Sequence, residues 1–375
     1  MSAPADLPEP DRVEGAPHPR ETERLLGQSE AESRFLEAYT SGRLHHAWLI
    51  TGPRGVGKAT LAWRLARFLL ATPADDGGMF APEPPSSLDI DAGHPVARRL
   101  MALSEPGLFL LRRGPNDKGD RLSQDIRVDE TRKLKGFLHM SASDGGRRVV
   151  IVDSADELNT NAANAILKLL EEPPEGAVFL LISHQPTRLL PTIRSRCREL
   201  RLSPLAPDVL TQALAAAGAE GDIQTDALGQ LAAGSVGEAL TLTHLDGLGL
   251  YAEICATFAE APRYDRPRAL KLSTLATGAA NADRYDLILH LFDLFLTRLA
   301  RSGAGLPPTA EAAPNEAAIL ARLSPGGAAA RAWATTQQEL SAAAQHGRAV
   351  NLDPSALILD MVFRINETAD AVAAR

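Results

Sequence analysis

A glycine-rich segment near the start of the chain has the spacing of a phosphate-binding loop. Residues 52–58 read Gly-Pro-Arg-Gly-Val-Gly-Lys and fit the pattern G-x-x-x-x-G-K. An apolar run precedes the loop and an apolar helical pattern follows it, so the context is strand, loop, helix. In such a loop, backbone N–H groups face a phosphate, the helix N-terminus adds positive potential, and Lys58 reaches the outer phosphates. We predict an ATP-binding site formed by Gly52, Pro53, Arg54, Gly55, Val56, Gly57, Lys58, Ala59, Thr60 and Asp153.

The same loop lacks a group that holds magnesium. The position after Lys58 normally carries Ser or Thr, whose hydroxyl binds Mg²⁺, and here it is Ala59. Thr60 comes one residue later and points about 100° away around a helix. The sequence therefore favours phosphate binding and places Mg²⁺ binding in doubt.

A second carboxylate site is also incomplete. Asp153 ends the apolar run Val149–Val152, as a Walker B carboxylate does, and would act on Mg²⁺ through water. Hydrolysing relatives place Glu next, whereas this chain has Ser154, which cannot act as a general base near neutral pH. Asp156 and Glu157 are the nearest replacements, and both lie one turn further on. We do not expect ATP hydrolysis by this chain.

Arg196 lies in a short basic cluster, 194–201, within an otherwise acidic chain of net charge -8. An arginine at a domain edge can neutralise charge that develops on a neighbouring subunit's nucleotide. The alternative is a surface salt bridge, and spacing alone does not choose between the two. Cys197 has no implied histidine partner, so we interpret it as a small buried residue and not a nucleophile.

Strands alternate with helices from about residue 29 to residue 202, which predicts an α/β domain with a parallel sheet flanked by helices. After Pro204 no convincing strand pattern remains. Four segments are predicted: a disordered N-terminal arm at 1–20, a P-loop domain at 21–203, a small helical lid at 204–245, and an all-α domain at 246–375 that would oligomerise.

Composition excludes several classes of protein. The negative net charge argues against a protein that coats nucleic acid with its whole surface. Two cysteines cannot build a disulfide framework, the nine histidines form no metal-ligand pattern, and no apolar run is long enough to span a membrane. We expect a soluble, cytoplasmic protein.

Several motifs together resemble the bacterial clamp-loader subunits of the AAA+ class, most specifically over residues 21–205. They are Leu44–Ile50, the Gly52 loop, Asn164–Pro174 and Ser195–Cys197. Asp125–Asp129, the degraded nucleotide residues and Val350–Asp353 resemble the delta-prime group of DNA polymerase III subunits.

This resemblance implies a hetero-pentamer with gamma/tau motor subunits and a delta subunit, which loads the sliding clamp onto primed DNA. It also implies that Arg196 is an arginine finger acting in trans, and that the chain has no polymerase activity of its own. Motor subunits carry a sensing Arg in a Gly-Ser-x-Arg pattern, where this chain has Gly237. Many relatives carry a four-cysteine zinc module, but residues 72–107 contain no cysteine, so we predict no zinc.

Two other functions stay open. A hydrolysing motor, or a related replication or recombination ATPase, would need Thr60 and Asp156 to replace the missing groups. A pure assembly scaffold would keep the loop without binding nucleotide.

Overall fold

The computed structural model describes residues 9–13, 15–72, 84–116, 118–119, 121–139, 146–219, 225–278 and 281–374. The chain divides into two compact units. Unit 1 contains Met1–Gly218 with Ser235–Gly237, and unit 2 contains Ala219–Gly234 with Glu238–Arg375. The four-segment division proposed from the sequence stays a prediction.

Unit 1 is built on a five-stranded parallel sheet in the order β2-β3-β4-β1-β5. Its strands are β1 (Ala47–Thr51), β2 (Leu108–Arg112), β3 (Arg148–Asp153), β4 (Ala177–Ser183) and β5 (Arg198–Arg201). The central strands are apolar along most of their length because helices cover both faces of the sheet. The predicted α/β fold class is confirmed.

Alternate residues of each strand enter two separate cores. The first core is completed by α1 (Ser29–Thr40), α2 (Lys58–Ala71) and α3 (Pro95–Met101). The second core is completed by α4 (Val128–His139), α5 (Thr160–Glu171) and α6 (Pro191–Arg194). A further helix of this unit, α7 (Pro207–Ala216), follows the last strand.

The N-terminal region differs from the disordered arm expected over residues 1–20. Residues 9–13 and 15–20 are placed in the structure, and the His18 side chain is fully buried with its ring edge-on to Trp63 of α2. Arg67 of α2 donates to the backbone carbonyl of Arg20 at 2.7 Å. Contacts with a helix more than forty residues away order this segment, which local composition could not reveal.

Among the described residues of unit 2, the regular elements are helices joined by turns and loops. Its helices are α8 (Thr225–Ala232), α9 (Val236–His244, whose first two residues belong to unit 1), α10 (Gly247–Thr257), α11 (Arg266–Leu275), α12 (Ala282–Gly303), α13 (Glu316–Leu323), α14 (Gly327–Ala349) and α15 (Pro354–Ala373). The long α12 packs against α14 and α10. Asp353 caps α15 by accepting from the Ala356 N–H, as its position before Pro354 predicted.

Candidate functional site

The glycine loop lies at the carboxyl edge of the sheet, between β1 and α2. Gly52, Gly55 and Gly57 have φ of 138°, 76° and 98°, conformations that favour glycine. A Cβ on Gly52 would stand 2.4 Å from the carbonyl oxygen of Leu202, which follows β5. The loop therefore depends on glycine for both conformation and space, as a phosphate-binding loop does.

Lys58 is 3% exposed and points back into this loop. Its ammonium group donates to the carbonyl of Gly52 at 2.8 Å and also to the carbonyl of Pro53. Burial lowers the pKa of Lys58 to about 8, and the charges of Asp153 and Asp156 oppose that shift only in part. The lysine thus sits where a phosphate-binding loop requires a cation, with its hydrogen bonds made to the loop itself.

The positions expected to lack hydrolytic groups do lack them. Ala59 is partly buried and packs against the core on the α2 side of the sheet, so it offers no oxygen to a metal ion. Ser154 is 3% exposed, and its hydroxyl has no hydrogen-bond partner within the described part of the chain. A serine hydroxyl in this environment does not take up a proton near neutral pH.

Asp156, one of the two residues considered as a replacement base, is hydrogen-bonded to the end of β4. Its carboxylate accepts hydrogen bonds from the Ser183 hydroxyl at 2.7 Å, from the His184 N–H, and from the Gln185 N–H at 3.3 Å. These bonds tie the turn after β3 to the end of β4. The geometry therefore counts against the hydrolysing alternative, which needs Asp156 as a base.

Asp153 ends β3 at the same edge of the sheet as the loop. Burial raises the pKa of Asp153 to about 7, and the nearby carboxylates of Asp11 and Glu157 raise it further, against the charges of Lys58 and Arg112. A carboxyl group in this position is only partly ionised at neutral pH and is therefore a weaker attraction for a cation than an ordinary aspartate.

Arg196 lies at the opposite edge of the sheet. It precedes β5, whose first residue, Arg198, is paired with Trp48 near the beginning of β1. The loop follows the other end of β1, where Leu202 approaches Gly52. At about 3.3 Å of rise per residue, Arg198 and Leu202 are about 13 Å apart along the strand, so Arg196 precedes the end of β5 that is remote from its own chain's loop.

Comparisons with known proteins identify the family of the chain. A family model described as DNA polymerase III, delta subunit matches residues 27–206. The chain is 34% identical to the DNA polymerase III subunit delta' of Escherichia coli over 300 residues, covering 78% of this chain and 81% of that one. The chain belongs to the DNA polymerase III delta' family.

Other relatives match over shorter segments. The delta' subunit of Pseudomonas aeruginosa is 40% identical over 208 residues, which span 55% of this chain and 57% of that subunit. The gamma/tau subunit of Mycobacterium tuberculosis is 32% identical over 200 residues, 51% of this chain and 30% of that one.

In this delta' family member, Ser235–Gly237, at the start of α9, lie against the loop within unit 1. The Ser235 hydroxyl donates to the Arg54 carbonyl at 2.9 Å, and the Gly237 N–H donates to the Gly55 carbonyl at 3.0 Å. A Cβ on Gly237 would lie 2.9 Å from the Cα of Gly55. The position where motor subunits were expected to carry a sensing arginine therefore has no room for a side chain without a backbone shift.

Asp11, a carboxylate of the N-terminal region that lies near the loop edge, was not predicted from the sequence. Its side chain is 4% exposed, and its oxygens lie 2.5 Å from Arg112 Nη1 and 3.2 Å from His18 Nε2. Arg112 ends β2 and is paired in register with Asp153. A contact between residues 11 and 112 has no local sequence signal, although the basic end of β2 could have suggested an acidic partner.

Three histidines of unit 1 and Cys197 have structural partners or are unreactive. His45 and His46 stack on each other at 4.4 Å, and His46 Nε2 lies 3.1 Å from the Leu170 carbonyl oxygen. Burial lowers the pKa of His184 to about 4, so it is neutral in the cell's pH range. Burial raises the pKa of the Cys197 thiol to about 12, which agrees with an inert residue.

The described residues contain neither a cluster of metal-ligating side chains nor a helix suited to crossing a membrane. No group of three or more His, Cys, Asp and Glu side chains among them is arranged to hold a metal ion. None of the helices in the described ranges combines the length and the apolar character that crossing a bilayer requires.

Proposed function

We propose that this delta' family member is a non-hydrolysing clamp-loader subunit that supplies Arg196 in trans to ATP held by a neighbouring motor subunit. The observation that carries the proposal is the position of Arg196 at the sheet edge opposite the chain's own loop. A guanidinium there cannot serve its own nucleotide, but it can reach a nucleotide bound at the loop edge of an adjacent subunit. In the proposed assembly, gamma/tau motors and a delta subunit complete a hetero-pentamer that loads the sliding clamp onto primed DNA.

The loop of this chain supports ATP binding without turnover. Its glycines and Lys58 are those of a phosphate-binding loop. Ala59 and Ser154 cannot supply the metal-binding hydroxyl and the base, and Asp156 is bound to β4. The residues that would hold ATP are Gly52–Thr60 with Asp153, and the part Mg²⁺ would play at Asp153 is weakened by the raised pKa of that group.

The test uses the reconstituted hetero-pentamer with Arg196→Ala in this subunit. We expect the assembly's ATPase kcat to fall severalfold while the KM for ATP changes little, because an arginine finger stabilises charge that develops only in the transition state. Arg194→Ala is a matched control, since Arg194 is exposed on α6 two residues away. Unchanged clamp loading and ATPase at saturating ATP would show that the trans role is wrong.

A nucleotide-free scaffold is a second candidate, favoured by one observation. Lys58 already donates to two loop carbonyls, so a phosphate would have to displace them. Titration of the purified chain with a fluorescent ATP analogue separates the two functions. Saturable binding that Lys58→Ala removes supports the nucleotide-binding subunit, whereas no binding together with intact pentamer formation supports the scaffold.

A further inference from the structure

The guanidinium of Arg196 is held at two points by its own chain. Nη2 lies 2.8 Å from Oε1 of Glu171, and Nη1 donates to the Thr192 carbonyl at 3.0 Å. The Arg196 side chain is 35% exposed and that of Glu171 is 42% exposed, so the pair lies at the surface. A long arginine side chain at a surface adopts many rotamers unless contacts such as these select one of them.

The two holding groups come from elements with fixed positions. Glu171 is the last residue of α5, which begins at the side-chain cap of Asn159 and ends before Pro173. Thr192 lies in α6, which packs against α5 and also precedes Arg196 in the chain. The carboxylate adds to the negative end of the α5 dipole, which attracts a cation to this place.

The contact leaves most of the guanidinium free. Arginine has five N–H donors; the Thr192 carbonyl accepts one hydrogen of Nη1, and Nη2 lies in an ion pair with Oε1 of Glu171. Only one carboxylate oxygen is involved, in contrast to a forked pair in which both oxygens occupy both nitrogens. Nε–H and the remaining Nη hydrogens can therefore reach a phosphate without breaking the contact with Glu171.

We propose that Glu171 is a positioning residue that holds Arg196 in the conformation in which it meets the neighbouring subunit's ATP. This inference rests on the proposed trans function of Arg196. In the free chain, the two contacts already restrict Arg196 to few rotamers. Less side-chain entropy is therefore lost when the guanidinium engages the phosphate. The alternative is that Glu171 sequesters Arg196 and must release it, and the two possibilities predict changes of opposite sign.

The experiment places Glu171→Ala and Glu171→Gln in the reconstituted pentamer. Glu171→Ala is expected to lower the assembly's ATPase kcat about threefold to fivefold, which is the upper part of the range that corresponds to the net energy of an exposed ion pair. The KM for ATP and the amount of pentamer should stay unchanged. Glu171→Gln keeps the length of the side chain and an acceptor oxygen but removes the charge of the ion pair, so its kcat should lie between those of the wild type and Glu171→Ala. Glu172→Ala removes an adjacent exposed carboxylate and serves as the control.

Arg196→Ala and the double variant Arg196→Ala/Glu171→Ala complete the design. If Glu171 acts only through Arg196, the double variant is no slower than Arg196→Ala alone. An additional loss in the double variant would overturn the positioning role, as would an unchanged or increased kcat in Glu171→Ala. If Arg196→Ala lowers kcat while Glu171→Ala does not, only this inference fails. If Arg196→Ala has no effect, the trans function fails and this inference fails with it.

Discussion

The charged network inside unit 2 gives a prediction whose size follows from its contacts. Glu316 is fully buried at the start of α13. Its carboxylate accepts from the Tyr251 hydroxyl at 2.7 Å, from Arg298 Nε at 2.6 Å and Nη2 at 2.9 Å, and from the Ala312 N–H at 2.7 Å. Burial is also the main reason why the pKa of Tyr251 lies far above its usual range. All four donors lose their acceptor in Glu316→Ala.

Most of the stability that Glu316→Ala loses is due to the charge of Arg298, which stays buried without its partner. Breaking a buried ion pair by removing one partner costs about 3–5 kcal/mol, and each buried donor left without a partner costs about 1–3 kcal/mol. These contributions overlap, and Arg298 keeps a 3.3 Å contact with the Ala310 carbonyl, so we expect about 4–5 kcal/mol in the unfolding free energy of unit 2. That corresponds to a melting temperature lower by about 10–15 °C.

Hydrogen exchange measured by mass spectrometry reads the two units separately within the intact chain. Peptides from α10, α12 and α13 should lose protection in Glu316→Ala, while those from the sheet of unit 1 should not. The matched control is Glu253→Ala, which removes an ion pair with Arg268 at 2.6 Å whose arginine is 43% exposed, and which should cost less than about 1 kcal/mol. Equal effects of the two substitutions would refute the reasoning from burial.

Three other substitutions test unit 1. Because burial raises the pKa of Asp153 to about 7 from an ordinary 3.8, the folded chain binds a proton more tightly than the unfolded chain, and stability falls as pH rises between those values. Asp153→Asn, which cannot ionise, should therefore gain in melting temperature over the wild type at pH 8 but not at pH 4, and a pH-independent difference would contradict this. Gly237→Ala should lower stability by about 1–3 kcal/mol because its Cβ meets Gly55, whereas Gly136→Ala in α4, with open space around its Cβ, should be neutral or stabilising by up to about 1 kcal/mol in the same melts. Lys58→Met should weaken the binding of a fluorescent ATP analogue at least about tenfold in an equilibrium titration, and an unchanged affinity would separate the loop from phosphate binding.

Much of the sheet could be predicted from the sequence because its signals are local. The runs around Ile50, Ile151 and Leu181 are continuously apolar, which is typical of strands covered on both faces, and each of them lies in an observed strand. Glycine spacing located the loop for the same reason. The short helix α3 was not predicted, since seven residues with two arginines carry little periodicity.

The surroundings of the site could not be predicted because they depend on contacts between distant residues. Asp11 reaches Arg112, 101 positions later, and that contact brings a second carboxylate toward Asp153. Glu171 and Arg196 are 25 positions apart and meet only because α5 and α6 pack together. The sequence identified Arg196 as a candidate, but a salt bridge and a catalytic role were equally consistent with its spacing. The structure contains the salt bridge, and a salt bridge with one carboxylate oxygen leaves the catalytic role open to test.

The polarity of the parallel sheet connects these observations. Because the strands are parallel, their carboxyl ends form one edge of the sheet and their amino ends form the other. The loop and Asp153 lie at the carboxyl edge, and Arg196 lies at the amino edge. Subunits that place one edge against the other form head-to-tail contacts, so each interface contains one donor of arginine and one acceptor with nucleotide. A subunit that has the arginine at its amino edge but lacks hydrolytic groups at its carboxyl edge can contribute to only one hydrolytic interface. On the proposed function, the metal-binding hydroxyl and the base that are missing at positions 59 and 154 thus cost the assembly one hydrolytic site, whereas loss of Arg196 would slow hydrolysis at a site that belongs to another chain.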